Sequence, residues 1–300
     1  MKKLLTAMVA TTALVSPAIA QDQITEFRIG ILGGENAQDR MNSNECFRAY
    51  TEELLGVPTR LFAPADYNGV MQGLLGGTID LAWLGPSAYA AIYIENPDAV
   101  EPILVKVNTD GTFGYYAIGF ARADSGITSM DDMQGKKFAF GDPNSGSGYL
   151  IPRIEIEDSG YALAPGEFFS DVVFSGGHEQ SIVGVANGDF DASVTWADAL
   201  GEWEDGYNSG ALRKAADAGV VDMNDLVQIW QSNVIPEGPI VVRKVLPERV
   251  KIEMTAMMAA LPYTDPDCAY AIQAGEALGF RPINHDAYEV IVESRKRVSN

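Results

Sequence analysis

The run Gly141-Asp-Pro-Asn-Ser-Gly-Ser-Gly-Tyr-Leu-Ile-Pro152 sets glycines and small hydroxyl residues between an apparent strand and an apparent helix, a combination suited to gripping an anion. Upstream, 136–140 is the short apolar run of a buried parallel strand, and downstream 149–157 carries enough helix formers to continue as a helix. A strand-loop-helix junction of this kind presents unpaired backbone N–H groups and the positive end of a helix dipole to whatever lies in front of it. Gly146 and Gly148 let the backbone come close, and Ser145 and Ser147 either cap the helix or donate hydroxyls to a ligand. An ordinary N-cap is the competing reading of the same Ser-Gly-Ser.

The elements that must hold this loop form an α/β pattern. Short β-rich runs at 27–32, 59–62, 79–83, 103–107, 116–121, 137–140, 172–174, 192–195 and 240–242 alternate with helical segments at 38–55, 67–75, 87–93, 149–158, 178–186 and 196–204. From Pro247 onward the chain reads as mostly helical. No Pro/Ser-rich linker separates two sequential halves, which predicts a chain that crosses between two lobes through strands, near 116–120 outward and 231–236 on return, and closes over a ligand by hinge motion. In open α/β sheets ligands sit beyond the carboxyl ends of strands. The anion loop after Phe140, Tyr67 after the 59–62 strand and His178 after the 172–174 strand all fall at such places.

Asp142-Pro-Asn-Ser145 followed by Ser147-Gly148 is similar to the phosphate-gripping loop of the periplasmic receptors of phosphonate ABC importers. The likeness continues, in the family's order, through Ala63-Pro-Ala-Asp-Tyr67, Asp80-Leu-Ala-Trp83, Gly114-Tyr115, Gly177-His178-Glu179 and Ile235-Pro-Glu-Gly-Pro-Ile240, and so covers most of the mature chain. The resemblance implies a two-lobe periplasmic binding protein of type II-like fold, with lobe 1 formed by 21–117 and 234–300 and lobe 2 by 118–233. It implies capture of a phosphonate, 2-aminoethylphosphonate or a small alkylphosphonate, by a monomer that delivers it to an inner-membrane ABC permease. A receptor for phosphite or phosphate, or a ligand-sensing two-lobe protein, is the alternative.

By the same resemblance Tyr67, Ser145, Ser147 and His178 contact the phosphonate oxygens, Gly146 adds its backbone N–H, and Tyr115 lies near the organic end of the ligand. His178 is the one aromatic cation candidate in a site otherwise built of neutral donors. Trp83 is either a pocket wall or core. The chain departs from the family at two places. Gly146 stands where the family often has threonine, and Gly238 stands at the position of one of two acids that receive a ligand ammonium. Asp198 aligns with the other acid, and Glu237 comes one residue early. Two carboxylates in the pocket favour an aminoalkyl tail; an outward Glu237 favours smaller phosphonates or phosphite.

The N-terminus carries a compartment signal that owes nothing to the resemblance. Lys2 and Lys3, an apolar run over 4–15 and Ala18-Ile-Ala20 before Gln21 form a secretory signal with its cleavage site, predicting a periplasmic protein of about 280 residues without membrane insertion. The chain is 47% hydrophobic, in the globular range. Loss of Lys2 and Lys3 takes the formal charge from −20 to −22, which argues against nucleic acid and against anionic membrane surfaces. So acidic a protein repels a phosphonate at long range, so that capture must rest on local donors. Cys46 and Cys268, the only cysteines, either pair in the oxidising compartment or stand as two small buried apolar groups.

Nothing in the chain supports catalysis, a metal or a cofactor. The two histidines, His178 and His285, belong to no metal-ligand spacing. Gly85-Pro-Ser87-Ala-Tyr89 has Tyr where a nucleophile elbow needs glycine and is better read as a helix start, and Cys46 lies mid-helix without a nearby His.

Overall fold

The computed structural model describes residues 24–33 and 36–299. The signal segment read over 1–20 lies outside the described residues. Two six-stranded sheets organise the chain into two lobes. The first begins with β1 (Phe27–Gly30), β2 (Thr59–Phe62), β3 (Leu81–Trp83) and β4 (Val100–Val107). The second holds β5 (Gly114–Arg122), β6 (Lys137–Phe140), β7 (Asp171–Phe174), β8 (Ala192–Ala197), β9 (Leu226–Gln231) and β10 (Ile235–Pro236). The chain then returns to the first sheet as β11 (Pro239–Arg243) and β12 (Gly279–Pro282), giving the order β12-β4-β11-β3-β1-β2.

The two passages between the sheets run side by side. Tyr115 on β5 pairs with Ile235 on β10, and Ile118 pairs with Gln231 on β9. Parallel pairing of β2-β1-β3 and of β7-β6-β8 accounts for the near-continuous apolar character of Leu81–Trp83 and Lys137–Phe140, which are covered on both faces.

The helices are α1 (Ala37–Leu55), α2 (Tyr67–Gly76), α3 (Pro86–Glu95), α4 (Ile151–Asp158), α5 (His178–Asn187), α6 (Ala211–Asp217), α7 (Glu248–Thr264), α8 (Pro266–Gln273) and α9 (Glu289–Ser299). Helix α1 starts where the Asn36 side chain accepts the Gln38 and Asp39 N–H groups and stops at Gly56, in the left-handed region at φ 66°. Cys46 on α1 and Cys268 on α8 are joined in a disulfide, with their Cα atoms 5.9 Å apart.

Asp80 is a structural strut within the first sheet. Its buried carboxylate accepts Arg28 Nε at 2.8 Å and Arg28 Nη2 at 2.9 Å and lies 3.3 Å from Arg243 Nη1, which ties together the ends of β1, β3 and β11.

The helix read over 196–204 does not form. Trp196 and Ala197 instead complete β8 opposite Ala117 and Tyr116, after which Ala199 at φ 55° and Gly201 at φ 80° break any helical path; the helix of this region is α6. Strand β9 adds to the strands read from the sequence, and the C-terminal part is mostly helical as expected, with the short strand β12 between α8 and α9. The short turn Gly279-Phe-Arg-Pro282 has little apolar alternation, and its strand exists because Arg281 and Phe280 pair with Val105 and Lys106 on β4.

Candidate functional site

The anion loop leaves β6 at Phe140 and turns tightly. Asp142 Oδ1 accepts the Asn144 N–H at 2.7 Å, its Oδ2 lies 3.5 Å from the Tyr67 N–H, and its carbonyl accepts the Ser145 N–H at 2.9 Å. Ser145 Oγ accepts the Gly148 N–H at 2.9 Å, so the N-cap reading of this serine holds and coexists with a place on the cavity wall. Gly146–Leu150 forms one π-helical turn ahead of α4, closed by the Leu150 N–H on the Ser145 carbonyl at 3.0 Å. Such turns concentrate at functional sites.

His178 opens α5, directly after the Gly176-Gly177 turn that follows β7. Its ring is buried, with Nε2 3.3 Å from Ser145 Oγ and Nδ1 3.1 Å from Thr195 Oγ1 on β8. Thr195 and Ser145 thereby hold the ring from both nitrogens, and Ser145 and His178 both line the cavity. Tyr67, the first residue of α2 in the other lobe, is 4% exposed and faces the same space.

A cavity of about 190 Å³ lies between the lobes. Tyr67, Tyr115, Ser145, Ser147, His178 and Glu237 all line it. Gly146 is packed behind its wall, where an added Cβ would meet Tyr115 Oη at 2.8 Å and Pro86 Cγ at 3.1 Å. Asp198 is also buried behind the wall, its Oδ1 accepting the Leu200 N–H at 3.2 Å. Burial raises the Asp198 carboxyl above the ordinary range against the lowering effect of two backbone N–H groups and Lys106. Burial, helped by the charge of Glu237, likewise raises the Tyr115 phenol, which keeps it a neutral donor.

A Cβ at Gly238 would stand 2.0 Å from the Leu84 carbonyl oxygen, so that no side chain fits there. Trp83 combines both roles foreseen for it: its Nε1–H donates to the Gly238 carbonyl at 3.0 Å, its ring packs edge-on against Phe280, and it lines the cavity.

The cavity holds more positive charge than a site of neutral donors around His178. Arg40 and Lys214 also line it. The Arg40 guanidinium is 3% exposed and donates to the carbonyls of Ile31, Leu32 and Pro64 at 3.1, 2.9 and 3.1 Å. Arg40 follows the polar stretch Gln38-Asp39, where a basic residue reads as surface, and Lys214 adjoins Arg213 with no local sign of burial. Half-buried Arg295 of α9 supports the loop from behind, donating to Ser87 Oγ at 2.8 Å and Asn144 Oδ1 at 2.6 Å.

At the cavity's rim the lobes touch directly. The Asn36 N–H donates to Glu179 Oε2 at 2.7 Å, the Glu276 N–H to the Asn208 carbonyl at 2.9 Å, the Gly210 N–H to the Ala274 carbonyl at 3.1 Å and the Tyr270 hydroxyl to Asp217 at 2.7 Å. This is the geometry of a closed cleft. Among the described residues no group of His, Cys, Asp and Glu is placed to hold a metal ion, and no helix is long and apolar enough to cross a membrane.

Residues 29–288 match the family model described as the periplasmic substrate-binding protein of phosphonate ABC transporters. The chain is 31% identical over 251 residues to the phosphonates-binding periplasmic protein of Escherichia coli (strain K12), covering 82% of this chain and 69% of that one. It is 28% identical over 214 residues to the phosphate-import protein PhnD of Mycolicibacterium smegmatis, covering 69% of this chain and 63% of the relative. In fold it resembles the binding protein component of an ABC phosphonate transporter from Pseudomonas aeruginosa, with TM-score 0.75 and 23% identity over 92% of this chain and 89% of that one. It resembles equally PhnD1 from Prochlorococcus marinus, solved in complex with methylphosphonate, with TM-score 0.75 and 16% identity over 92% and 98% of the two chains.

Proposed function

The chain belongs to the periplasmic substrate-binding proteins of phosphonate ABC transporters, and from that premise we propose that it captures a phosphonate between its lobes and presents the closed form to an inner-membrane permease. It is the binding component of a transporter and not an enzyme. In this reading the phosphonate oxygens are held by Ser145, Ser147 and His178 of lobe 2 and by Tyr67 of lobe 1, with the Gly146 N–H assisting. The organic tail points toward Tyr115, Trp196 and Glu237.

The observation that carries the reading is that Tyr67 and the Ser145–His178 pair, contributed by opposite lobes, line a single cavity. A ligand bonded from both sides favours closure, because only the closed state makes both sets of bonds. The lobes, 21–117 with 234–300 and 118–233, turn about the paired β5 and β10 strands, and the secretory signal of 1–20 delivers the protein as a monomer to the periplasm. A volume of about 190 Å³ exceeds the need of a bare oxyanion and leaves space for an aminoethyl or small alkyl tail.

Calorimetry of the mature, ligand-free protein against methylphosphonate, 2-aminoethylphosphonate, phosphite and phosphate tests this. Tighter binding of at least one phosphonate than of phosphate and phosphite supports it. Preference for the two inorganic anions would replace it with a phosphite or phosphate receptor, and silence in every titration would end it.

A further inference from the structure

Behind the tail end of the cavity lies a buried charged cluster that the anion loop does not use. Lys106, on β4, is 1% exposed. Its Nζ donates to Ser209 Oγ at 2.8 Å, lies 3.3 Å from Glu237 Oε2 and sits 5.1 Å from the centre of the Trp196 ring. Glu237 and Trp196 both line the cavity, so the ammonium stands one layer behind its wall.

Each oxygen of Glu237 is already engaged from the protein side. Oε1 accepts the Gly238 N–H at 3.1 Å, and Oε2 faces Lys106 in an ion pair that lacks hydrogen-bond alignment, which is why that oxygen has no hydrogen-bond donor despite its 3.3 Å neighbour. The second acid, Asp198, is 1% exposed and does not reach the wall. Burial raises its carboxyl above the ordinary range, against the lowering effect of two backbone N–H groups and of Lys106. A buried Lys–Glu pair is a poor way to stabilise a fold, since apolar residues of the same volume serve as well or better. Its position beside a ligand cavity gives it another use.

We propose that Lys106 is the resident ammonium of this pocket: it occupies the charge of Glu237 from behind the wall, excludes phosphonates whose tail carries a positive charge, and selects those with uncharged alkyl tails. The inference rests on the phosphonate reading above and refines it. A ligand ammonium arriving at Glu237 would stand within a few ångströms of Lys106 Nζ with little water to screen the repulsion. An alkyl group would meet the faces of Trp196 and Tyr115 with no such cost.

The experiment compares 2-aminoethylphosphonate with propylphosphonate, in which a methyl group replaces the ammonium, and uses methylphosphonate as the reference, all by calorimetry. Wild-type protein is expected to bind propylphosphonate at least about tenfold more tightly than 2-aminoethylphosphonate. Lys106→Met, checked for folding by thermal melting, should shrink or reverse that ratio. If Lys106→Met does not fold, the wild-type pair of ligands decides alone. Binding of 2-aminoethylphosphonate as tight as that of propylphosphonate would overturn the role of Lys106 while leaving the phosphonate reading in place. Failure of all three ligands to bind would overturn the phosphonate reading itself.

Discussion

The Tyr115 hydroxyl stands 2.8 Å from where a Cβ on Gly146 would lie, so the loop residue and the strand residue are chosen as a pair. Gly146→Thr would force the phenol off its position beside Ser147, an overpacking that costs about 1–3 kcal/mol. We expect the single variant to bind methylphosphonate roughly tenfold more weakly and Gly146→Thr with Tyr115→Phe to recover part of the loss. An unchanged affinity for the single variant in calorimetry would show that threonine fits without moving Tyr115.

Tyr67→Phe removes a hydroxyl from the lobe 1 side of the cavity and leaves the ring's packing among Val70, Leu84 and their neighbours in place. If that hydroxyl donates to the bound anion, affinity falls by about 1–3 kcal/mol. Near-wild-type affinity removes Tyr67 from the site.

Asp80→Asn leaves Arg28 and Arg243 around a neutral group and breaks the strut joining β1, β3 and β11. Loss of a buried partner of this kind costs about 3 kcal/mol, visible in urea unfolding. Ligand affinity of the folded fraction should stay close to wild type, because Asp80 touches no wall of the cavity.

Asp198 holds a carboxyl that burial raises above its ordinary value of 3.8. The folded state therefore binds this proton more tightly than the unfolded chain does. The stability contributed by the group is complete below the ordinary value and is lost as pH rises through the raised one. Asp198→Asn should thus be at least as stable as wild type at neutral pH, and the difference should close near a pH of about 3.5. Thermal melts at the two pH values measure it; a clearly less stable variant at neutral pH would show that attraction to Lys106 outweighs burial.

The Cys46–Cys268 bond spans 222 residues of sequence and clamps α1 to α8. Both helices carry cavity residues close to the bond, Ser43 and Asn44 on one and Ile272 and Gln273 on the other. Replacing both cysteines by alanine should lower stability by about 2–4 kcal/mol and weaken ligand binding measurably. Unchanged affinity in the folded variant would confine the bond to a role in stability.

What could be read from the chain divides along a physical line. The strand-loop-helix at 137–158 was legible because its signals are local: an apolar run, a Pro-Asn turn, glycines and a capping serine follow one another in sequence. The charged parts of the pocket were not. Lys106 interrupts the strand Val100–Val107 and looks like an edge residue, and only the return of Ser209 and Glu237 from more than a hundred residues away buries it. Arg40 lies in the polar first turns of α1, and its carbonyl partners at Ile31, Leu32 and Pro64 sit on two other segments. The false helix at 196–204 arose because Trp196 and Ala197 suit either element, and the left-handed Ala199 that ends the matter leaves no mark on residue type.

The rim hydrogen bonds give the site a clock as well as a shape. Asn36 with Glu179, Asn208 with Glu276, Gly210 with Ala274 and Tyr270 with Asp217 all have to part before anything inside can escape. Residence time is then set in large part by groups outside the anion loop, and loosening the Asn36–Glu179 or Tyr270–Asp217 contact would shorten the dwell of every ligand alike while leaving the ranking among ligands untouched.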